Sequence, residues 1–204
     1  MDTTKTTAID WNAELADQLD WHWEQQLRPR LDGLTDAEYF WEPVAGCWSI
    51  RPRAEATTPL AMGPGELVMD FAMPAPQPEP VTTIAWRLAH ITAGCFAARI
   101  AAHFGGASVD WATWEYAGSA AEALRQLDEQ HAAWIKGVRS LGADGLAWQV
   151  GPGEGDDGEY AQCPMAQLVL HINREVIHHG AEIALLRDLY LREAQKGSDA
   201  CNGL

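Results

Sequence analysis

Apolar side chains recur at helical spacing over four stretches of the chain, which predicts a mostly helical protein. Each stretch repeats apolar positions three or four residues apart, as an amphipathic helix does. The stretches run over about residues 8–31, 82–104, 119–141 and 164–192. We expect one all-α domain over residues 1–192, arranged as a four-helix bundle with a long crossover, and a flexible tail over 193–204.

The ends of these stretches carry ordinary helix signals. Thr35 with Glu38 and Ser119 with Glu122 have the spacing of capping boxes. Pro29 is expected to end or kink the first helix. The face of that helix is expected to be formed by Trp11, Leu15, Leu19 or Trp23, and Leu27.

Residues 51–80 interrupt the helical pattern. Seven of the eleven prolines fall in this stretch, so we expect a long loop or lid between the first two helices. Loops of this length inside a compact domain tend to be functional covers or mobile segments.

Charge and cysteine content narrow the range of partners. The chain of 204 residues carries 14 basic and 29 acidic side chains and a formal charge of −15, which repels phosphate backbones and anionic lipids. We therefore expect no nucleic acid and no membrane as a partner. The amino terminus lacks a signal peptide, and four scattered cysteines without a CxxC pair favour a reducing cytoplasm.

The last predicted helix concentrates histidine and glutamate, the residue types that bind divalent metals. Three pairs have the four-residue spacing that places both side chains on one face: His171 with Glu175, Glu175 with His179, and His178 with Glu182. Such a pair is often only hydrogen-bonded, and the spacing does not choose among the three. Glu175 lies on the expected buried stripe, where its carboxylate needs a cation or strong donors.

His90 could add a third ligand from the second helix, although a lone histidine on an apolar helix is more often a core residue. In an antiparallel bundle the second and fourth helices can face each other, which would bring it to the pair. Three protein ligands leave coordination positions open, as a catalytic metal requires.

Three segments resemble the DinB-like superfamily, whose members include mycothiol-dependent maleylpyruvate isomerase and related thiol transferases. They are GCWSI at 46–50, TTIAWRLAHI at 82–91 and HINREVIHHGAEIALLRDLY at 171–190. The resemblance implies His90, Glu175 and His179 as the metal ligands, with glutamate first in the last pair as in the isomerase branch. It leaves His171, His178 and Glu182 as candidate neighbours of the ligands.

In one feature the chain departs from the family. The family's Trp-Ser turn directly precedes the first metal-binding helix, whereas here the proline-rich segment lies between Trp48 and His90. This insertion could roof the pocket and change its substrate.

The resemblance implies an enzyme that activates a low-molecular-weight thiol, such as mycothiol or bacillithiol, for transfer or isomerisation. The alternatives are a metal-dependent hydrolase with Glu182 as general base, and a non-catalytic ligand-binding protein whose metal is structural. Zinc is the first expectation, with nickel, iron or manganese as alternatives. Candidates for binding the thiol or a small-molecule substrate are Trp48, Arg51, Arg53 and Arg87. The family suggests a homodimer. Trp111 and Trp114 could form its contact face or simply cover the core.

Overall fold

The computed structural model describes residues 8–152 and 160–202, and its fold is mostly helical, as the sequence predicts. The elements, in chain order, are α1, α2, β1, β2, α3, α4 and α5. Helix α1 comprises Trp11–His22, a π-helical segment Trp23–Leu27 and a last turn Arg28–Arg30, and it is followed by the short helix α2, Asp36–Tyr39. Strands β1 and β2 are Ile50–Pro52 and Leu67–Met69. Helix α3 comprises Ile84–Ala89, a π-helical segment His90–Ala97 and Ala98–His103, and the last two helices are α4, Ala120–Leu146, and α5, Met165–Asn202.

The helix starts follow the caps seen in the sequence. Thr35 and Glu38 form a complete capping box at α2. Ser119 caps α4 by accepting from the backbone N–H of Glu122, but the Glu122 carboxylate pairs with Arg125 instead of returning to the cap. Each satisfied N–H removes one of the unpaired donors of a helix terminus.

Two helices end later in the structure than the sequence pattern predicts. Helix α4 kinks at Gly142, where the backbone takes a positive φ of 61°, and resumes for a short turn. The expected end at 141 is therefore the end of its straight part. Helix α5 continues through Asn202 rather than stopping near 192.

The four long helices pack around one apolar core. Helix α1 lies against α4 and α5, while α3 lies against α4 and α5 from another side. Fully buried side chains from each helix meet there, among them Leu19, Phe96, Leu127, Trp134, Leu168 and Ile172. Each such burial contributes roughly 1.5–3 kcal/mol. Trp11 is 63% exposed and does not belong to the core face predicted for it.

The proline-rich segment is not a bare loop, because it contains both strands of a two-stranded sheet. Strands β1 and β2 pair antiparallel, with Ile50 opposite Met69. The buried carboxylate of Asp70 accepts hydrogen bonds from the Ser49 N–H (3.0 Å) and from Arg51 Nε (2.7 Å). The Asp70 carboxylate, which follows β2, thereby fixes the position of Ser49 and Arg51 at the start of the proline-rich segment.

The same segment is also fixed to the start of α3. Trp48 and Thr82 form a parallel bridge, and the Thr83 N–H donates to the Trp48 carbonyl (2.9 Å). Trp86 Nε1 donates to the Asp70 carbonyl (2.9 Å). Although distant in sequence, Trp48 thus lies directly against the amino terminus of α3, and the proline-rich residues loop out between them.

Within the described residues, no helix combines the length and apolar character needed to cross a membrane.

Candidate metal centre

His90 is the first residue of the π-helical segment of α3. A π-helical turn is wider than an α-helical one and is frequent at functional sites. The indole rings of Trp86 and Trp111 both stack on the His90 imidazole, with centroids 5.4 Å and 5.5 Å away. A Cβ at Gly94 would come within 2.2 Å of the Trp111 ring, so the missing side chain is what lets Trp111 lie close to α3.

Helix α5 brings Glu175 and His179 to the same point, one turn apart. His179 Nε2 lies 3.5 Å from Glu175 Oε2, and His90 Nε2 lies 3.9 Å from that oxygen. The three candidate ligand atoms lie within 4.8 Å of one another, and all three residues are half-buried. The structure thus brings together the three residues that the family resemblance selects.

These spacings fit a single metal ion. Ligand atoms about 2.1 Å from a tetrahedral ion lie roughly 3.4 Å apart, which the pair of His179 and Glu175 nearly matches. His90 Nε2 is buried, with no hydrogen-bond partner in the part of the chain that the structure describes. Burying a nitrogen that has no hydrogen-bond partner costs free energy, unless a bound ion, ligand or water contacts it.

Glu182 fixes the orientation of His179. The Glu182 carboxylate lies 2.6 Å from His179 Nδ1 and also forms an ion pair with the Arg87 guanidinium. A carboxylate at Nδ1 holds the proton on that nitrogen and leaves Nε2 with a free lone pair for a metal. Glu182 therefore acts on the ligand His179, one turn along α5.

A second group, His178 with His179 and Glu182, also has ligand atoms close together among the described residues. It fits a metal less well, because Arg87 already occupies the Glu182 carboxylate and places a positive charge beside it. His178 is 64% exposed, and its Nε2 lies 3.5 Å from Glu182. In the group that contains His90 and Glu175, the ion-pair partners that the structure shows for the Glu175 carboxylate are histidines.

Charges at the site hold its carboxylate ionised. The nearby His90 ring, opposed by burial and supported by His171 and His179, lowers the pKa of Glu175 to about 2. Burial of the His90 ring favours its neutral form, but Cys95 and Glu175 outweigh burial and raise the pKa of His90 to about 10. Burial and the nearby His90 lower the pKa of His179. Without a metal, the proton of the site therefore resides on His90.

A sequence model of the DinB superfamily matches residues 18–183. The chain belongs to the DinB superfamily. The matched range includes His90, Glu175 and His179, so the ligand set lies inside the shared region. No curated protein and no solved structure matches the chain.

Two cavities flank the ligand set of this DinB superfamily member. A smaller cavity of about 140 Å³ is lined by His90, Glu175, Cys95, Trp111 and His171. A larger one of about 340 Å³ is lined by His179, Glu182, Arg87, Trp48 and Trp86. An ion held by the three ligands would therefore lie between two spaces that small molecules can enter.

The other predicted site residues divide into two sets. Trp48 and Arg87 line the larger cavity, and His171 lines the smaller one with its Nδ1 3.6 Å from Glu175. Arg51 and Arg53 line neither of these two cavities. Arg51 pairs with Asp70 and Glu42, and Arg53 donates to the carbonyls of Gly63 and Gly65, so both arginines hold the proline-rich segment together.

Trp111 and Trp114 were expected either to form a dimer face or to cover the core, and both rings are partly buried against the core. The contact of Trp111 with His90 was not predicted from the sequence. Trp111 covers a candidate ligand. The available signal was Gly94, one turn after His90, where a missing side chain leaves room for a ring.

Proposed function

We propose that this DinB superfamily member is a metal-dependent enzyme that activates a low-molecular-weight thiol for transfer or isomerisation on a four-helix bundle. The observation that carries the proposal is the convergence of His90 Nε2, His179 Nε2 and Glu175 Oε2 between two cavities. A divalent ion held there would supply Lewis acidity, which lowers the pKa of a bound thiol or water. Zinc is our first expectation, with nickel, iron or manganese as alternatives.

The residues of the chain have separate tasks in this proposal. His90, Glu175 and His179 bind the ion, and Glu182 keeps the proton of His179 on Nδ1. The rings of Trp86 and Trp111 cover His90 and exclude water from that side. In conjugation, the thiol sulfur forms a bond to the electrophilic carbon, the thiol proton goes to solvent and the leaving group departs with its electron pair.

The position of Glu182 favours the thiol-transfer hypothesis over the hydrolysis hypothesis. A general base must be free to take a proton from the attacking water. Glu182 is instead engaged by Arg87 and by His179 Nδ1. A bundle that binds a ligand around a structural metal stays as the non-catalytic alternative.

The test is conjugation of chlorodinitrobenzene with mycothiol or bacillithiol by the metal-loaded protein. We expect turnover that rises with thiol concentration, with chloride released, and that is lost after chelation and in His179→Ala. A Glu129→Gln variant, altered at an exposed position on α4 outside the site, should retain it. Turnover of hydrolysable esters without thiol would contradict the proposal, and so would conjugation that survives chelation.

We further propose a cytoplasmic homodimer, on the basis of the cysteine pattern and the family resemblance. Size-exclusion chromatography with light scattering tests the dimer.

A further inference from the structure

We propose that the larger cavity beside His179 binds a neutral aromatic compound and that this compound is the electrophile of the reaction. The second part rests on the proposed function, whereas the first part does not. The cavity differs from its smaller neighbour in volume, in the nature of its walls and in the part of the chain that supplies them.

Aromatic and apolar side chains form most of the wall. The Trp48 ring lies 6.1 Å from that of Phe71 and 6.2 Å from that of Trp86, both in tilted arrangements. The apolar lining comprises Trp48, Phe71, Ala72, Met73, Ala75, Pro80 and Trp86. Tilted and offset rings of this kind are favourable partners for another flat ring.

The wall is held in place before any ligand arrives. The Phe71 N–H donates to Thr58 Oγ1 (3.0 Å), and Trp86 Nε1 donates to the Asp70 carbonyl (2.9 Å). A preformed wall lowers the entropy that is lost on binding. The inserted proline-rich segment is therefore a part of the binding site.

The charges around the cavity disfavour an anionic ligand. The permanent charges that line it are one guanidinium, that of Arg87, and the carboxylates of Glu79 and Glu182. Arg87 is already paired with Glu182, so its charge is largely neutralised at the site. The formal charge of −15 on the whole chain adds a repulsion of the same sign. In the metal-free protein, a carboxylate placed here would lose hydration without gaining an unpaired cationic side chain from the cavity wall.

The volume agrees with a compact ring system. At about 340 Å³ the cavity lies at the lower end of the range of roughly 300–1,000 Å³ that small-molecule sites occupy. The smaller cavity, at about 140 Å³, falls below that range.

The experiment compares two probes that differ by one charge, methyl naphthoate and naphthoate. Calorimetric titration of each into metal-free protein, in which no ion can bind the carboxylate, should show the ester binding at least about tenfold more tightly than the acid. Ester affinity should be unchanged in the metal-loaded protein, because the wall and not the ion binds the ring.

Two matched variants locate the binding. Met73 lies on the cavity wall and is 72% exposed, whereas Leu185 lies outside the cavity and is 59% exposed. Neither side chain is needed for the core. We expect Met73→Glu to weaken ester binding by about tenfold or more and Leu185→Glu to leave it unchanged. Circular dichroism of both variants confirms that they are folded.

The inference is overturned if the acid binds as tightly as the ester, or if the two variants weaken ester binding equally. Failure of the proposed function has a different signature. If the ester binds as described but chlorodinitrobenzene is not conjugated with any thiol, the binding site stands, and its assignment to an electrophile is wrong together with the proposed reaction.

Discussion

His90 and His131 both pack against tryptophan in the helical core, but of the two, among the described residues, His90 alone belongs to a group of three candidate ligand atoms. His131 is 5% exposed and stacks on Trp23 with centroids 4.0 Å apart. The Nε2 atoms of both histidines are buried with no hydrogen-bond partner among the residues described, and each has a carboxylate oxygen 3.9 Å away. Judged by these local features alone, the two sites look alike.

The difference lies in what else the carboxylate contacts. Asp20, beside His131, is paired with Arg139 at 2.7 Å, so its charge is already balanced. The partners that the structure shows for Glu175 are histidines, which can be neutral. Burial lowers the pKa of His131 to about 4, whereas Cys95 and Glu175 raise that of His90 to about 10. A buried histidine thus suggests a metal ligand when the partners that the structure shows for its carboxylate neighbour are themselves histidines.

The largest expected effect is on metal content. His90→Ala should lower metal affinity by more than about 100-fold, because loss of a ligand exceeds the 10- to 100-fold loss seen for outer partners. Glu175→Ala and His179→Ala should do the same. Elemental analysis after dialysis measures it, with His131→Phe as the control that keeps its metal. Full metal content in all three variants would contradict the assignment of these residues as metal ligands.

The next effect is the pH dependence of metal binding. Because the pKa of His90 is about 10 without metal, a proton must leave His90 when the ion binds below that pH. Affinity should therefore rise about tenfold per pH unit, or about 100-fold from pH 6.5 to 8.5. Competition with a chelating indicator measures it. His131→Phe should show the same slope, and a pH-independent affinity would contradict the described protonation.

A smaller effect concerns stability in acid. His131 has a pKa of about 4 in the folded chain and about 6.5 when unfolded, so the unfolded state binds more protons between these values. Its contribution is fully present above pH 6.5 and is lost as the pH falls towards 4. This costs about 2 kcal/mol between pH 7 and 4.5.

Urea unfolding of the wild type and of His131→Phe at both pH values isolates this term. The decrease in unfolding free energy from pH 7 to 4.5 should be smaller in the variant than in the wild type by that amount. An equal loss in both proteins would show that His131 does not behave as a buried neutral histidine.

The smallest effect tests the orientation of His179. Glu182→Gln keeps the shape of the side chain but removes the charge that both His179 Nδ1 and Arg87 contact. Metal affinity should fall about tenfold, at the lower end for an outer partner. Glu129→Gln, an exposed change on α4, is the control. An unchanged affinity in Glu182→Gln would mean that packing alone orients His179.

Helix positions were largely predictable because their signals are local. Apolar spacing and caps such as Thr35 with Glu38 act within a few residues of sequence. The extension of α5 through Asn202 was not predicted, since its apolar stripe weakens after residue 192. The strands in the proline-rich segment were also missed, because strands of three residues paired across a long loop carry little periodic signal.

The sequence by itself determined the chemistry available to the site. It placed His90 on one helix, put Glu175 and His179 one turn apart on another, and carried the family pattern that selected this register among three equivalent pairs. Residues close in sequence on a helix have fixed relative positions, so the pairing within α5 could be read directly.

Only the tertiary structure decided which groups meet across elements. It brought His90 to α5, set Trp111 over His90, returned Trp48 to the start of α3, and used Arg51 and Arg53 to hold the insertion instead of a ligand. These contacts join residues far apart along the chain. They depend on how helices pack and on which carboxylate each arginine neutralises, and no local pattern of residues encodes either.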